Sequence, residues 1–167
     1  NTPSASRTIS WLVTDANSDG AGAATSTADA TSTIFITPMS DPPIVTTGGT
    51  SASYTENDPP KIIDATIIIV DDDDTHIDSA IVTISSGFTS GDTLILVTPG
   101  TLISSFISDS ILSISGNASI ADYEVALHSI GYKSSSEDPT LYSSNRTITW
   151  VATDANSDGA GAATSIA

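Results

Sequence analysis

Asp71-Asp72-Asp73-Asp74 sets four carboxylates side by side with no lysine or arginine nearby in sequence. Carboxylates at that density repel one another unless a cation or screening salt neutralises them. Calcium takes about six to eight oxygen ligands and favours carboxylates, amides and carbonyls, all of which this stretch offers. The competing reading is a solvated acidic turn. The same residue types return in Thr153-Asp154-Ala155-Asn156-Ser157-Asp158-Gly159, where Asp154, Asn156 and Asp158 alternate. An earlier copy of that stretch carries Asp15, Asn17 and Asp19. The alternation fits the first half of a helix–loop–helix calcium loop, with oxygen ligands at positions 1, 3 and 5 and glycine at 6. Position 12 should then be glutamate, but it is Ser26 in one copy and Ser165 in the other, and no flanking helices are indicated. That reading fails. What remains is a hairpin loop that binds calcium through Asp154, Asn156 and Asp158, or an ordinary Asx-rich turn.

The elements that must position these residues follow from the duplication. Arg7–Ser26 recurs as Arg146–Ser165, 139 residues later, with differences only at Ser10/Thr149, Leu12/Val151 and Val13/Ala152. Chance does not give such identity, so the chain reads as a window on a tandem array. Thr8–Thr14 alternates, with Ile9, Trp11 and Val13 on one face, and reads as a half-buried strand. Thr31–Thr37 reads as a second strand. Pro38–Pro43 cannot continue a ladder, because three of its residues lack an N–H. A unit boundary is therefore placed near Asp41. Residues 1–40 are read as the C-terminal strands of a preceding repeat, or as a donated strand, and residues 41–167 as a repeat lacking its final strand.

Within the second segment, Ile44–Thr47, Ser51–Thr55, Ile62–Val70, Asp78–Ser85, Thr93–Val97, Leu102–Ile107, Ile111–Ile114 and Arg146–Thr153 read as strands, and Tyr132 lies in another. Ser119–Leu127 breaks the pattern: Ser119 can cap and Asp122 follows three residues later, which predicts a helical turn or two. Many short strands with close turn signals and one helical turn predict an all-β, antiparallel Greek-key β-sandwich of immunoglobulin-like type.

Charge narrows the function. Twenty acidic residues against four lysines and arginines give a net charge of −16. That excludes phosphate-backbone binding as a main task and opposes docking on an anionic membrane. There is no cysteine, hence no disulfide or thiolate metal site. No apolar run approaches the ~18 residues a membrane span needs. His76 and His128 stand far apart without companion ligands, which disfavours zinc. Trp11 and Trp150 occupy equivalent inward positions and read as core. Asn117-Ala118-Ser119 and Asn145-Arg146-Thr147 are formal glycosylation sequons. Catalysis is disfavoured: the acids cluster in polar loops where they stay ionised, and no nucleophile–base order is visible.

Several segments together resemble a family. Ser40-Asp41-Pro42-Pro43 resembles the linker between cadherin-like repeats, and Tyr54-Thr55-Glu56-Asn57 resembles their Glu-Asn element. Asp72-Asp73-Asp74 resembles the Asp-Xaa-Asp after the second strand. Gly91-Asp92-Thr93-Leu94, Ala121-Asp122-Tyr123 and Thr153-Asp154 follow in the same order. The chain is thus similar to the cadherin-like repeats of large bacterial surface adhesins. The resemblance implies stacked sandwiches with calcium at the junctions. Asp41, Asp72, Asp74 and Asp154 would be ligands at one pole and Glu56 at the other, with Asp15 holding the Asp154 role in the preceding unit. The chain departs from animal cadherins in having no Asp-Arg-Glu motif, which leaves the number of ions at a junction open. It further implies an extracellular or cell-surface stalk or filament whose partners are copies of the same repeat, in tandem or by strand exchange. The alternative is a glycan- or protein-binding sandwich, which predicts an exposed aromatic cluster.

Overall fold

The computed structural model describes residues 5–26, 30–49, 51–98, 102–157 and 159–166, and for 103–107 the backbone alone. The chain divides into two compact units, Thr2–Met39 and Ser40–Ala167. It is built mostly of strands in several antiparallel sheets, with one short helix.

The first unit is a hairpin. β1 (Ser6–Trp11) pairs antiparallel with β2 (Ala30–Phe35), setting Arg7 opposite Ile34, Ile9 opposite Ser32 and Trp11 opposite Ala30. The connecting loop closes with a bridge between Thr14 and Thr25. Two strands bury little. Trp11 is 55% exposed and Ile34 52%. The half-buried strand read from the alternation at Thr8–Thr14 is thus a largely exposed one at Ser6–Trp11, because a lone hairpin has no opposing layer.

The second unit holds β3 (Ile44–Thr46), β4 (Lys61–Ile62), β5 (Ile68–Val70), β6 (His76–Ser86), β7 (Asp92–Leu96), β8 (Ile103–Ser108), β9 (Ile111–Ser119), α1 (Ile120–His128), β10 (Ile130–Ser134) and β11 (Thr147–Asp154). One sheet runs β11-β6-β9-β8, a second β4-β10-β7, and β3 pairs with β5. The long β6 alternates as its sequence demands, burying Ala80, Val82 and Ile84. These join Ile67, Ile77, Leu94, Leu112, Ile114, Tyr123, Leu127, Ile130 and Trp150 in one apolar core. Trp150, the repeat of Trp11, is only 7% exposed. The same tryptophan in nearly the same sequence is buried where other strands complete the core and exposed where they are missing.

Two strand expectations change. Ile62–Val70 is not one strand. Asp64, 6% exposed, accepts hydrogen bonds from the Thr66 N–H (2.8 Å), the Thr66 hydroxyl (2.6 Å) and the Gly48 N–H (2.8 Å). This Asx turn cuts the β-branched run so that β4 pairs with β10 while β5 pairs with β3. Ser51–Thr55 forms no strand. It is anchored by a side chain instead: the Tyr54 hydroxyl lies 3.2 Å from the Ser134 carbonyl, and its ring meets Tyr132 edge-on at 5.1 Å. The helix is the expected one. Ser119 Oγ accepts the Asp122 N–H at 3.2 Å and lies 2.7 Å from its carboxylate.

Candidate metal centre at one pole

β5 ends at Val70 and β6 starts at His76, so Asp71–Asp74 must reverse the chain between two sheets. Asp71 does this work locally: its Oδ1 accepts the N–H groups of Asp73 (3.1 Å) and Asp74 (2.8 Å). The turn thereby folds three carboxylates inward. One oxygen each from Asp71, Asp73 and Asp74 lie within 4.8 Å of one another. Asp72 points elsewhere; it is exposed and outside this group. Of the pair Asp72 and Asp74 that the resemblance implies, Asp74 belongs to this group, while Asp72 lines a shallow cleft with Asp41.

Three oxygens of this trio, Asp71 Oδ2, Asp73 Oδ1 and Asp74 Oδ2, are buried with no hydrogen-bond partner among the described residues. Asp74 is only 2% exposed. Burial pushes the Asp71 carboxyl up, with the neighbouring Asp73 charge adding to it. The Asp41 N–H, donating at 3.0 Å, holds Asp73 below the usual carboxylate range. Buried carboxylate oxygens without a donor are costly, and an oxygen-binding cation is the chemistry that removes the cost.

Two further segments reach this pole. The linker arrives through Asp41, whose side chain is exposed and whose N–H bonds Asp73. Ser40 Oγ donates to Asp154 Oδ2 at 3.4 Å. The loop after β11 arrives through Ser157, whose N–H and hydroxyl both donate to Asp74 Oδ1. Asp41, Asp73, Asp74 and Asp154 therefore belong to one connected network at the end of β11.

The repeated loop uses its oxygens differently. Asp154 is fully buried, but its Oδ1 accepts the Asn156 N–H (3.0 Å) and its Oδ2 the Ala163 N–H (2.7 Å). Asn156 Oδ1 accepts the Gly161 N–H at 2.6 Å. The first copy repeats two of these bonds: Asp15 Oδ1 accepts the Asn17 N–H at 2.9 Å and Asn17 Oδ1 the Gly22 N–H at 2.5 Å, while Asp19 accepts from the Ala21 N–H at 3.1 Å. Asn17 and Asn156 both take the left-handed conformation, φ 52° and 53°. Asparagine tolerates that region because its amide bonds the local backbone. These oxygens close a turn. Asp158 lies outside the described residues.

Glu56 is exposed in the turn after Tyr54, on the side of Ser134 and the start of β11, away from Asp154. That opposite end carries a feature the sequence reading missed. Asp92, with no exposed surface, receives Arg146 Nε at 2.5 Å and Nη2 at 3.3 Å, the Tyr132 hydroxyl at 2.6 Å and the Thr89 N–H at 2.8 Å. Burial works to raise the Asp92 carboxyl, but Arg146, Tyr132 and Thr89 outweigh it and hold it low. The same burial, with Asp92, pushes Tyr132 up to about 12. The available signal was Arg146 itself, one of only four lysines and arginines in the chain.

No family model, curated protein or solved structure matches the chain. Among the described residues, no helix is long and apolar enough to cross a membrane.

Proposed function

We propose that Ser40–Ala167 is one unit of a tandem array, a cadherin-like Greek-key β-sandwich that serves as structural spacer in an extracellular or cell-surface stalk. Calcium at the Asp71–Asp74 pole stiffens the link to the unit before it. The observation that carries this reading is the inward trio Asp71, Asp73 and Asp74, with three buried oxygens lacking donors, hydrogen-bonded to the linker at Asp41. Asp71, Asp73 and Asp74 would hold the ion, with the exposed Asp41 carboxylate beside them. An ion there cancels the repulsion and ties the turn to the linker, which converts a flexible joint into a fixed one. Asp154 and Asn156 act as turn formers that present Ser157 to the pole, and Asp15, Asn17 and Asp19 form the equivalent turn of the first copy. The duplicated sequence and large negative charge fit a passive array better than a catalyst.

The test is thermal unfolding of the full chain in calcium and in chelator. Millimolar calcium should raise the midpoint by about 5 °C or more. The Asp71→Asn, Asp73→Asn, Asp74→Asn triple variant should unfold at the same temperature in both. No calcium shift in the parent chain would sink the calcium role, and an undiminished shift in the variant would move the ion elsewhere.

A further inference from the structure

Ile103-Ser104-Ser105-Phe106-Ile107-Ser108 is a strand sequence without a charge, and its surroundings in the chain are as bare. Between Thr93 and Ala121 the only charged residue is Asp109, in a chain with 20 acids and four lysines and arginines. The structure makes this stretch β8, at the end of the sheet β11-β6-β9-β8. β9 pairs one side of it, and no strand among the described residues pairs the other. The duplication leaves this side alone, since β2 pairs with β1, the near-copy of β11 at the far end of the sheet. Two other strands of the unit are guarded. The Ile69 N–H of β5 is taken by Glu124 Oε1 at 2.9 Å, and β4 follows Pro59-Pro60 and carries Lys61. β8 has no proline or charge, and its one protective feature is a bulge between Phe106 and Ser108.

The ladder fixes which backbone groups face out. The Ile84 N–H bonds the Ser110 carbonyl at 2.8 Å, so along β9 the groups of Leu112 and Ile114 also face β6. Those of Ser113 and Ser115 face β8, where their partners are Ser105 and Ile103. Ser104 and Phe106 are then left with N–H and C=O directed away from the sheet. An open edge of this kind accepts another strand. A second β8, antiparallel and turned about a two-fold axis at Ser105, sets Ser104 of each copy opposite Phe106 of the other. Each of these two pairs exchanges both of its N–H···O bonds. The bulge after Phe106 ends the straight stretch there, so this register satisfies every outward group of that stretch.

We infer that β8 binds β8 of a second copy of this chain, joining two four-stranded sheets across an axis at Ser105. Charge selects the like partner at this place. Two molecules of net charge −16 repel over most of their surface, and Thr93–Ala121 is where they can meet without setting acid on acid. A cationic partner would be drawn to the acidic turns instead. The seam is small, well short of the ~1,200 Å² of a stable interface, so the dimer should be weak, with a dissociation constant of about 0.1–1 mM. In a tandem array the seam recurs at each unit, and linked weak contacts reinforce one another. The inference concerns contact between neighbouring arrays and holds with or without calcium.

The test uses the full chain in chelator at about 0.15 M salt, where long-range repulsion is screened, by sedimentation velocity up to about 1 mM. Concentration-dependent dimers are expected, and a strict monomer at the top of that range would overturn the proposal. Ser105→Asp sets like charges opposite each other across the axis and should raise the dissociation constant about tenfold, as should Ser105→Lys. Mixing the two variant chains should restore the dimer, because the charges then pair, and that recovery shows both to be folded. Association unchanged in both variants would overturn the proposal. Register is read separately by disulfide trapping, since the chain has no cysteine of its own. Two Ser105→Cys chains would bring their Cα atoms about 4.5 Å apart, inside the disulfide range of about 4.4–6.8 Å, and should cross-link. Two Ser104→Cys chains would stand two residues out of register, beyond ~7 Å, and should not. Equal trapping at both positions would refute the axis at Ser105.

Discussion

Arg146 shows how one side chain can decide the fate of a chain so acidic. Its guanidinium is mostly buried, forks onto Asp92 and also donates to the carbonyls of Pro139 (2.6 Å) and Ser143 (2.7 Å). It thus ties the 139–146 loop to the β7 turn. Removing it leaves a fully buried carboxylate with the Tyr132, Thr89 and Ser134 donors but no positive partner. Arg146→Ala should cost about 3–5 kcal/mol in denaturant unfolding, and Arg146→Lys less, since the charge survives but the fork does not. The pH dependence follows from sign. The folded-state Asp92 carboxyl lies below its ordinary value of 3.8. Its stabilising contribution is therefore complete above that value and is lost as pH falls through the lowered one. The gap between parent and Arg146→Ala should narrow in that acid window. A constant gap down to pH ~2 would mean the loss is packing alone.

At the scale of elements, α1 is the clearest case of local sequence specifying structure. Ser119 caps, Asp122 answers it, and Tyr123, Ala126 and Leu127 form the buried stripe. The Tyr123 hydroxyl reaches the carbonyls of Asp78 and Gly116, at 2.7 and 2.9 Å, which fixes the helix against β6 and β9. Ser119→Ala should cost about 1 kcal/mol, measurable as a shift in denaturant midpoint without change of slope. Unchanged stability would mean that tertiary packing alone holds the helix. The alternating strands β6, β7 and β9 were legible for the same reason: each buries one face, so period two is written into the residues. The break in Ile62–Val70 was not read, although Asp64-Ala65-Thr66 advertises an Asx turn, because β-branched residues on both sides outweigh it locally. Only the two different partner strands make the break necessary. The acidic turn was legible as a place and not as an arrangement of side chains. Four identical side chains carry no sign of which three turn inward, and that choice is made by hydrogen bonds from Asp71 to its own turn.

For the molecule as a whole, the duplication was fully legible and its meaning for burial was not. Identical stretches predict identical environments, yet Trp11 and Trp150 differ eightfold in exposure because burial belongs to the surrounding layer. The charge acts at this scale too. With a net charge of −16, the compact state carries self-repulsion that the unfolded chain relieves. Part of it is general and screened by any salt, and part sits at the Asp71–Asp74 pole, where buried charges are screened weakly. The two parts separate in a salt titration of thermal stability. In chelator the midpoint should climb as ionic strength rises from 0.01 to 0.15 M, while the screening length falls from ~30 to ~8 Å. Calcium should lift the whole curve, and most at low salt, where the pole's repulsion is least relieved. The Asp71→Asn, Asp73→Asn, Asp74→Asn chain should keep the salt slope of a highly acidic protein and lose the offset. Were calcium and an equal ionic strength of sodium chloride to give the same midpoint throughout, the divalent ion would be acting as bulk screening.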